Sequence, residues 1–577
     1  MIATIVACSA EPLPEAVRAE AVERALEGVT RDREWTAEQI DATYAAREGR
    51  PLWVGAGGPT RDGRRLLETL EEMEAEGFPP AYEAALIEGL QDRLASADSA
   101  AAPGARAELE MRLSVAFLGR VRDLVRGRLD PARFAQDWRI ESEPLPEDAL
   151  VRVSDGDSPD EILDGLRPSF PHYERLVEAL DRLGDVARSG GWPALGAEGP
   201  LAPGERSPVV NRLRERLAAS DDPGERRLAG RGDEPDLFDE DLAAALERFQ
   251  MRHGLEPDRI LGPATLRELG TPVEDRIRSV RVNLDRLRWL PRDLGPRAIL
   301  VNVAGFEFEL LEDNEPRFSM NVVVGRAEWA TRLFSATMDH LVLNPYWHVP
   351  EPILRDEVLP AIRNDPGYAS RNGFEVVWAD GARPAGGADW EALASRIDDA
   401  DEGAESLGDD TLEVTVRQAP GPTNALGRVK FMFPNPYHIY LHDSPEQALF
   451  ERSYRAFSHG CIRVERPIEL ARYLVDRYTE RPVDDIARIL ASEEETTIVL
   501  DEPLEVYTVY LTAWVDGDGT TYFYRDIYDR DDALHAGERV SIVRPAKSGA
   551  RGSALPGPAA SRGRPPGSPR LAAVPAP

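Results

Sequence analysis

Cysteine is almost absent: only Cys8 and Cys461 stand in a chain of 577 residues. Two thiols cannot build a disulfide framework, so the fold must rest on buried apolar surface. Long apolar runs are also missing, and no internal stretch approaches the roughly 18 residues that a membrane span needs. Positive charge is in deficit, with 69 Lys and Arg against 103 Asp and Glu and a formal net charge of −34. A surface of that sign repels phosphate backbones, which argues against a nucleic-acid partner. What remains is ordinary: 42% hydrophobic residues, enough for at least one large core. The length sets a prior of about four domains.

The texture changes several times along the chain. Residues 1–14 read as the remnant of an export signal, and Ile5-Val6-Ala7-Cys8 resembles the lipid-attachment box of bacterial lipoproteins. A start codon assigned too late would explain the missing charged leader, and Cys8 is the one point where a membrane tether is expected. Residues 15–200 read as a helical scaffold. Leu66, Leu67, Leu70 and Met73 recur at helical spacing, as do Leu113, Phe117, Val121 and Leu124. Residues 204–270 predict three short helices, with Asp239 as an N-cap, Gly254 as a stop and Pro263 in a first turn. Phe249-Gln250, Gly254-Leu255 and Gly262-Pro263-Ala264-Thr265 in this unit resemble the peptidoglycan-binding module found beside many wall enzymes.

From residue 297 to 515 the pattern is β-rich, interrupted over 361–425 by a polar, glycine-rich stretch that reads as a capping insertion. Residues 516–544 read as a C-terminal hairpin turning near Asp518-Gly519. Residues 545–577 have no periodicity and predict a disordered tail. The expected class is multidomain α+β.

The second cysteine lies in AFSHGCIRV (456–464), preceded by Gly460 and followed by Arg463. Upstream, PYHIYLHD sets His438, Tyr440 and His442 at period 2, so a strand would project all three to one face. A thiol attacks carbonyls as thiolate and needs a base or a positive charge nearby. Histidine supplies such a base near neutrality. Gly460 permits close backbone approach, and consecutive N–H groups there could donate to a developing oxyanion. Two other readings share these residues. His438, His442, His459 and Cys461 could hold zinc, and Cys461 alone could be inert core filler.

His442, fifteen intervening residues, then Ser458-His459-Gly460-Cys461-x-Arg463 resembles the signature of bacterial L,D-transpeptidases. LNPYWHVP (343–350), RQAPGPTNALGRVKFMFPNP (417–436) and IYLHD (439–443) extend the resemblance to the large Gram-negative branch, which carries a scaffold, a wall-binding module and a capping insertion. The resemblance implies Cys461 as nucleophile and His442 as its base, oriented by a backbone carbonyl near Asp443. It implies an oxyanion site from N–H groups around Gly460 and Cys461, helped by the Tyr440 hydroxyl. Ser458, His459 and Arg463 are expected to shape the site. The implied partners are peptidoglycan stem peptides: a tetrapeptide donor and a diamino-acid side-chain amine as acceptor. Neither metal nor organic cofactor is implied, the location is the periplasm, and carbapenems are expected to acylate the thiol. A cysteine peptidase on the same stems, or a wall-binding scaffold without activity, are the rival functions.

Overall fold

The computed structural model describes residues 11–543 except 28, 30, 79–83, 97–101, 136, 197–198, 231–233, 379–380, 384–388 and 395–414. Cys8, most of the expected export-signal segment and the expected tail therefore lie outside the described residues.

The N-terminal third is helical. Its long helix α1 (Ala102–Arg126) buries Leu113, Phe117 and Val121 on one face, because a four-residue spacing returns to the same side of a helix. Glu110 on α1 is buried, and its carboxylate accepts the N–H groups of Leu52, Trp53 and Val54 and the Tyr44 hydroxyl. Helix α2 (Pro171–Arg188) follows and buries Leu176, Leu180 and Leu183.

A small unit with its own core comes next: α3 (Pro208–Ala218), α4 (Pro223–Ala229), α5 (Glu240–Arg252) and α6 (Pro263–Leu269). Ser207, Asp222 and Asp239 each accept a first-turn N–H, and proline opens three of the four helices. Three helices were expected here. The fourth, α4, is only seven residues long, and its Pro223-Gly224 reads as a breaker until Asp222 is seen to cap it.

Arg252 of α5 is buried with Glu225 at 2.7 Å and Asp221 at 3.2 Å, and it donates to the Thr521 carbonyl at 2.6 Å. The module is thus fastened to the C-terminal part of the chain. Removing one partner of a buried ion pair strands the others and costs about 3–5 kcal/mol. Arg252→Met is expected to speed amide exchange across α5 by on the order of a hundredfold or more. Exchange mass spectrometry on the intact chain checks this, and unchanged protection would contradict it.

Helix α7 (Val273–Arg288) leads into the β-rich part. Its buried Asp285 pairs with Arg288 and with Arg128 of the scaffold, while Asn283 accepts the Thr512 N–H. One helix therefore joins the scaffold to the sheet.

The sheet strands are β1 (Arg297–Asn302), β2 (Glu307–Glu312), β3 (Glu315–Gly325), β4 (Leu333–Leu343), β5 (Val429–Met432), β6 (Leu441–His442), β7 (Ala456–Ser458), β8 (Ile462–Val464) and β9 (Thr496–Val509). Their order is β5-β6-β8-β3-β2-β1-β9-β4, and β5 also pairs with β4, which closes the sheet on itself. Closure leaves no open edge along this path. β7 pairs with β3, and Trp138–Arg139 of the scaffold pairs with β4. Helix α8 (Pro467–Tyr478) buries Leu470, Leu474 and Val475 against the sheet.

Between β4 and β5 the chain makes a separate four-stranded sheet from Trp347–His348, Phe374–Trp378, Gly381–Arg383 and Thr415–Gln418. Its core includes Leu354, Ile362, Phe374, Trp390 and Val416. The insertion expected over 361–425 thus begins earlier, since Leu354, Val358 and Leu359 share its core, while its acidic stretch 395–414 lies outside the described residues.

The expected C-terminal hairpin is shorter than 516–544. It consists of β10 (Ala513–Val515) and β11 (Thr521–Phe523), and a helix, α9 (Asp531–Val543), follows. Asp531 and Asp532 occupy the helix's first turn and Asp531 pairs with Arg286, while Leu534 is fully buried. No described helix is long and apolar enough to cross a membrane. The class is mixed α+β, with a β-rich domain, a small helical module and a helical scaffold.

Candidate active site

The site is set by register. β6 runs parallel to β8 with Leu441 beside Ile462 and His442 beside Arg463, and antiparallel to β5 with Lys430 beside His442. Phe431, Leu441 and Ile462 are buried in the core. Alternation therefore sends Lys430, His442 and Arg463 to the opposite face. The Ile462 N–H donates to the Tyr440 carbonyl at 3.1 Å, which sets Tyr440 next to Cys461. Tyr440, His442 and Cys461 thus share one face, with the Tyr440 and His442 rings 5.7 Å apart. His438 does not join them. Its φ of 53° takes it off the strand path, and it contributes its backbone carbonyl, 3.7 Å from Cys461 Sγ.

His442 is buried, and its Nδ1 lies 2.6 Å from the Asp443 carbonyl. That carbonyl can only accept, so Nδ1 carries the proton and Nε2 is left as the acceptor. Burial holds the imidazole down to about 3, reinforced by the positive charges of Arg463 and Lys430. The ring is neutral over the physiological range, with Nε2 as its acceptor atom. Asp443 orients it through backbone alone: the Asp443 carboxylate accepts the N–H of Arg428 at 2.8 Å and of Ser444 at 2.7 Å.

Cys461 is only partly exposed, and burial pushes its thiol up. The N–H and hydroxyl of Tyr440 and the charges of Lys430 and Arg463 act the other way without overcoming it. Positive charge does stand near the thiol, as its chemistry requires, but in the fold desolvation outweighs it. A neutral thiol beside a neutral imidazole is the resting state.

The turn before Cys461 is pinned by Ser458. Its hydroxyl donates to the Cys461 carbonyl and accepts the Gly460 N–H at 3.1 Å. This corrects the expectation that Gly460 supplies an oxyanion donor, since its amide is already committed. The Tyr440 hydroxyl lies against the Cys461 sulfur. Gly460 itself has φ of 113°, a conformation that a side chain disfavours. A Cβ on neighbouring Gly325 would lie 2.0 Å from the Trp329 carbonyl oxygen, so Gly325 serves close backbone packing.

His459 faces away, toward the insertion. Its Nε2 lies 2.8 Å from Glu357 Oε1 and 2.8 Å from Arg326 Nη2, and its ring meets Trp329 edge-on at 5.6 Å. His459 holds the Glu357 carboxyl below its usual range. Arg463 pairs with Glu446 in the segment between histidine and cysteine. Among the described residues no three His, Cys, Asp or Glu side chains converge to hold a metal ion.

Sequence reasoning missed four contributors. Thr331 is buried; its hydroxyl donates to the Gly460 carbonyl at 2.9 Å and accepts the Gly325 N–H at 2.9 Å. Glu357 and Trp329 meet the motif only through tertiary contact. Lys430 was legible: VKFM alternates, so a buried Phe431 sends Lys430 outward.

Residues 38–180 match the family model of a scaffold domain, 206–269 that of a "Putative peptidoglycan binding domain", and 296–488 that of the L,D-transpeptidase catalytic domain. A curated protein of Haemophilus influenzae, "Putative L,D-transpeptidase", is 30% identical over 261 residues, covering 44% of this chain and 49% of its own length. The chain thus spans about half the length of that relative. The crystal structure of the L,D-transpeptidase (residues 123-326) from Xylanimonas cellulosilytica DSM 15894 is 14% identical and covers 54% of this chain and 98% of its own. Its TM-score of 0.16 carries no structural argument.

Proposed function

We propose that this chain, whose residues 296–488 match the L,D-transpeptidase catalytic domain and whose residues 206–269 match a putative peptidoglycan-binding domain, forms 3→3 crosslinks between stem peptides in the periplasm. The observation that carries this reading is the β6–β8 register. It brings a thiol and an imidazole with a free Nε2 to one face, next to the Tyr440 hydroxyl.

In this reading Nε2 of His442 takes the thiol proton as Sγ attacks the carbonyl of the diamino acid in a tetrapeptide donor. The oxyanion that forms accepts from the Cys461 N–H and the Tyr440 hydroxyl. Collapse breaks the peptide bond, Nε2 returns its proton to the departing D-alanine amine, and a thioester remains on Cys461. The side-chain amine of a second stem then attacks the thioester and gives a proton to Nε2. The new amide forms and the thiol is regenerated. The insertion, held to the motif through Glu357 and His459, fits a cover that favours an amine over water.

Incubation of the full chain with disaccharide-tetrapeptide tests the reading by mass. A crosslinked dimer with released D-alanine is the expected product. Tripeptide alone would show that water, not an amine, accepts the acyl group.

A further inference from the structure

Only two of the 69 basic residues counted as Lys or Arg are lysines, Lys430 and Lys547. Lys547 lies outside the described residues, so Lys430 is the one lysine of the described structure, and it stands on the face of the thiol. The other cations there are neutralised. Arg463 pairs with Glu446, and Arg326 faces Glu357 at 3.6 Å beside His459. Lys430 has no ion pair among the described residues. Its Nζ sits 3.9 Å from the centroid of the Tyr440 ring, which leans toward Cys461. Glu495 is the carboxylate whose charge influences it, and that side chain accepts the Tyr346 N–H at 2.8 Å.

A half-buried ammonium without an anion is costly, and burial does push Lys430 down from its usual range. In a chain of net charge −34, a peptide rich in carboxylates is repelled until a local cation receives it. The reach also fits. β5 lies two strands from β8, roughly 10 Å at ~4.8 Å per strand. Lys430 Nζ reaches back over the Tyr440 ring, against Cys461, which shortens the gap toward the length of one extended residue, about 3.5 Å. Lysine also suits the place better than arginine, because a compact point charge fits over one ring where a planar fork needs two aligned acceptors.

We propose that Lys430 is a specificity-determining residue that receives a carboxylate of the donor stem peptide. This rests on the function proposed above. It is tested on the full chain with disaccharide-tetrapeptide and with two donors, one amidated at the C-terminus and one at the diamino-acid carboxylate. Lys430→Met is expected to raise KM on the order of ten- to a hundredfold while kcat stays within a few-fold, and Lys430→Arg to recover part of the loss. One amidated donor should show the same KM increase with the unsubstituted protein and no further increase with Lys430→Met. In Cys461→Ala, which holds donor without turning it over, the tetrapeptide should protect Lys430 but not Lys547 from amine acetylation read by mass.

Equal KM values for both proteins with every donor, or acetylation of Lys430 unaffected by donor, would overturn the proposal. So would a shifted pH profile of Cys461 alkylation with KM unchanged, since that would assign Lys430 to the thiol. If no donor acylates Cys461 in the unsubstituted chain, the transpeptidase reading itself fails, a result distinct from all of these.

Discussion

Cys461→Ala is expected to abolish crosslinked dimer, with the rate falling on the order of 10³-fold or more, because no other group can carry the acyl chain. The described residues contain no second cysteine. Ser458 cannot substitute, as its hydroxyl is engaged by the Cys461 carbonyl and the Gly460 amide. Carbapenem should add one mass increment to the parent chain at Cys461 and none to the variant. The fold should be unaffected, since the side chain fills a partly exposed position on the outer face of the sheet. Dimer formation persisting above background in a folded variant would remove the thiol from the mechanism.

His442→Gln is expected to be the second-largest loss, roughly 10²–10⁴-fold in acyl transfer, the range that general-base catalysis contributes. The effect divides from that of Cys461 by pH. With burial holding the imidazole at about 3 and pushing the thiol up, the two groups rest uncharged. Alkylation of Cys461 by iodoacetamide should therefore climb through pH 7 to 9, with no inflection near 6.5. A plateau established by pH 6 would reveal a preformed thiolate–imidazolium pair and contradict the electrostatics of the site. At pH 9, where hydroxide can ionise the thiol directly, His442→Gln should alkylate within a few-fold of the parent while acyl transfer stays low. The same shift carries a stability consequence. A histidine whose folded pKa lies below its unfolded value of about 6.5 stabilises the fold above that pH, and the contribution is lost as pH falls toward 3.

The two histidines of the motif region show why geometry had to decide between them. His459 is two residues from the thiol in sequence, His442 nineteen, yet His459 turns to Glu357 in the insertion. Side chains one residue before a glycine turn and those on a paired strand obey different constraints. Only strand pairing fixes the direction of His442. The left-handed conformation at His438 and the capture of the Gly460 amide by Ser458 are likewise products of the turn geometry. Neither leaves a trace in spacing.

The sequence by itself determined the class of the chain and the α-to-β change near residue 297, and it singled out Tyr440, His442, Cys461 and Arg463 as candidates for one face. Those follow from period-2 alternation and from a motif of fixed spacing, both local properties of the chain. Tertiary structure decided the rest. It set the neutral charge state of the thiol and imidazole, through burial that no short window encodes. It also decided the contacts of Glu357 and Thr331, which lie 102 and 129 residues from their partners in the motif, and the packing of Lys430 over the Tyr440 ring. Desolvation and long-range contact depend on which segments the closed sheet brings together, and that information exists only after the chain has folded.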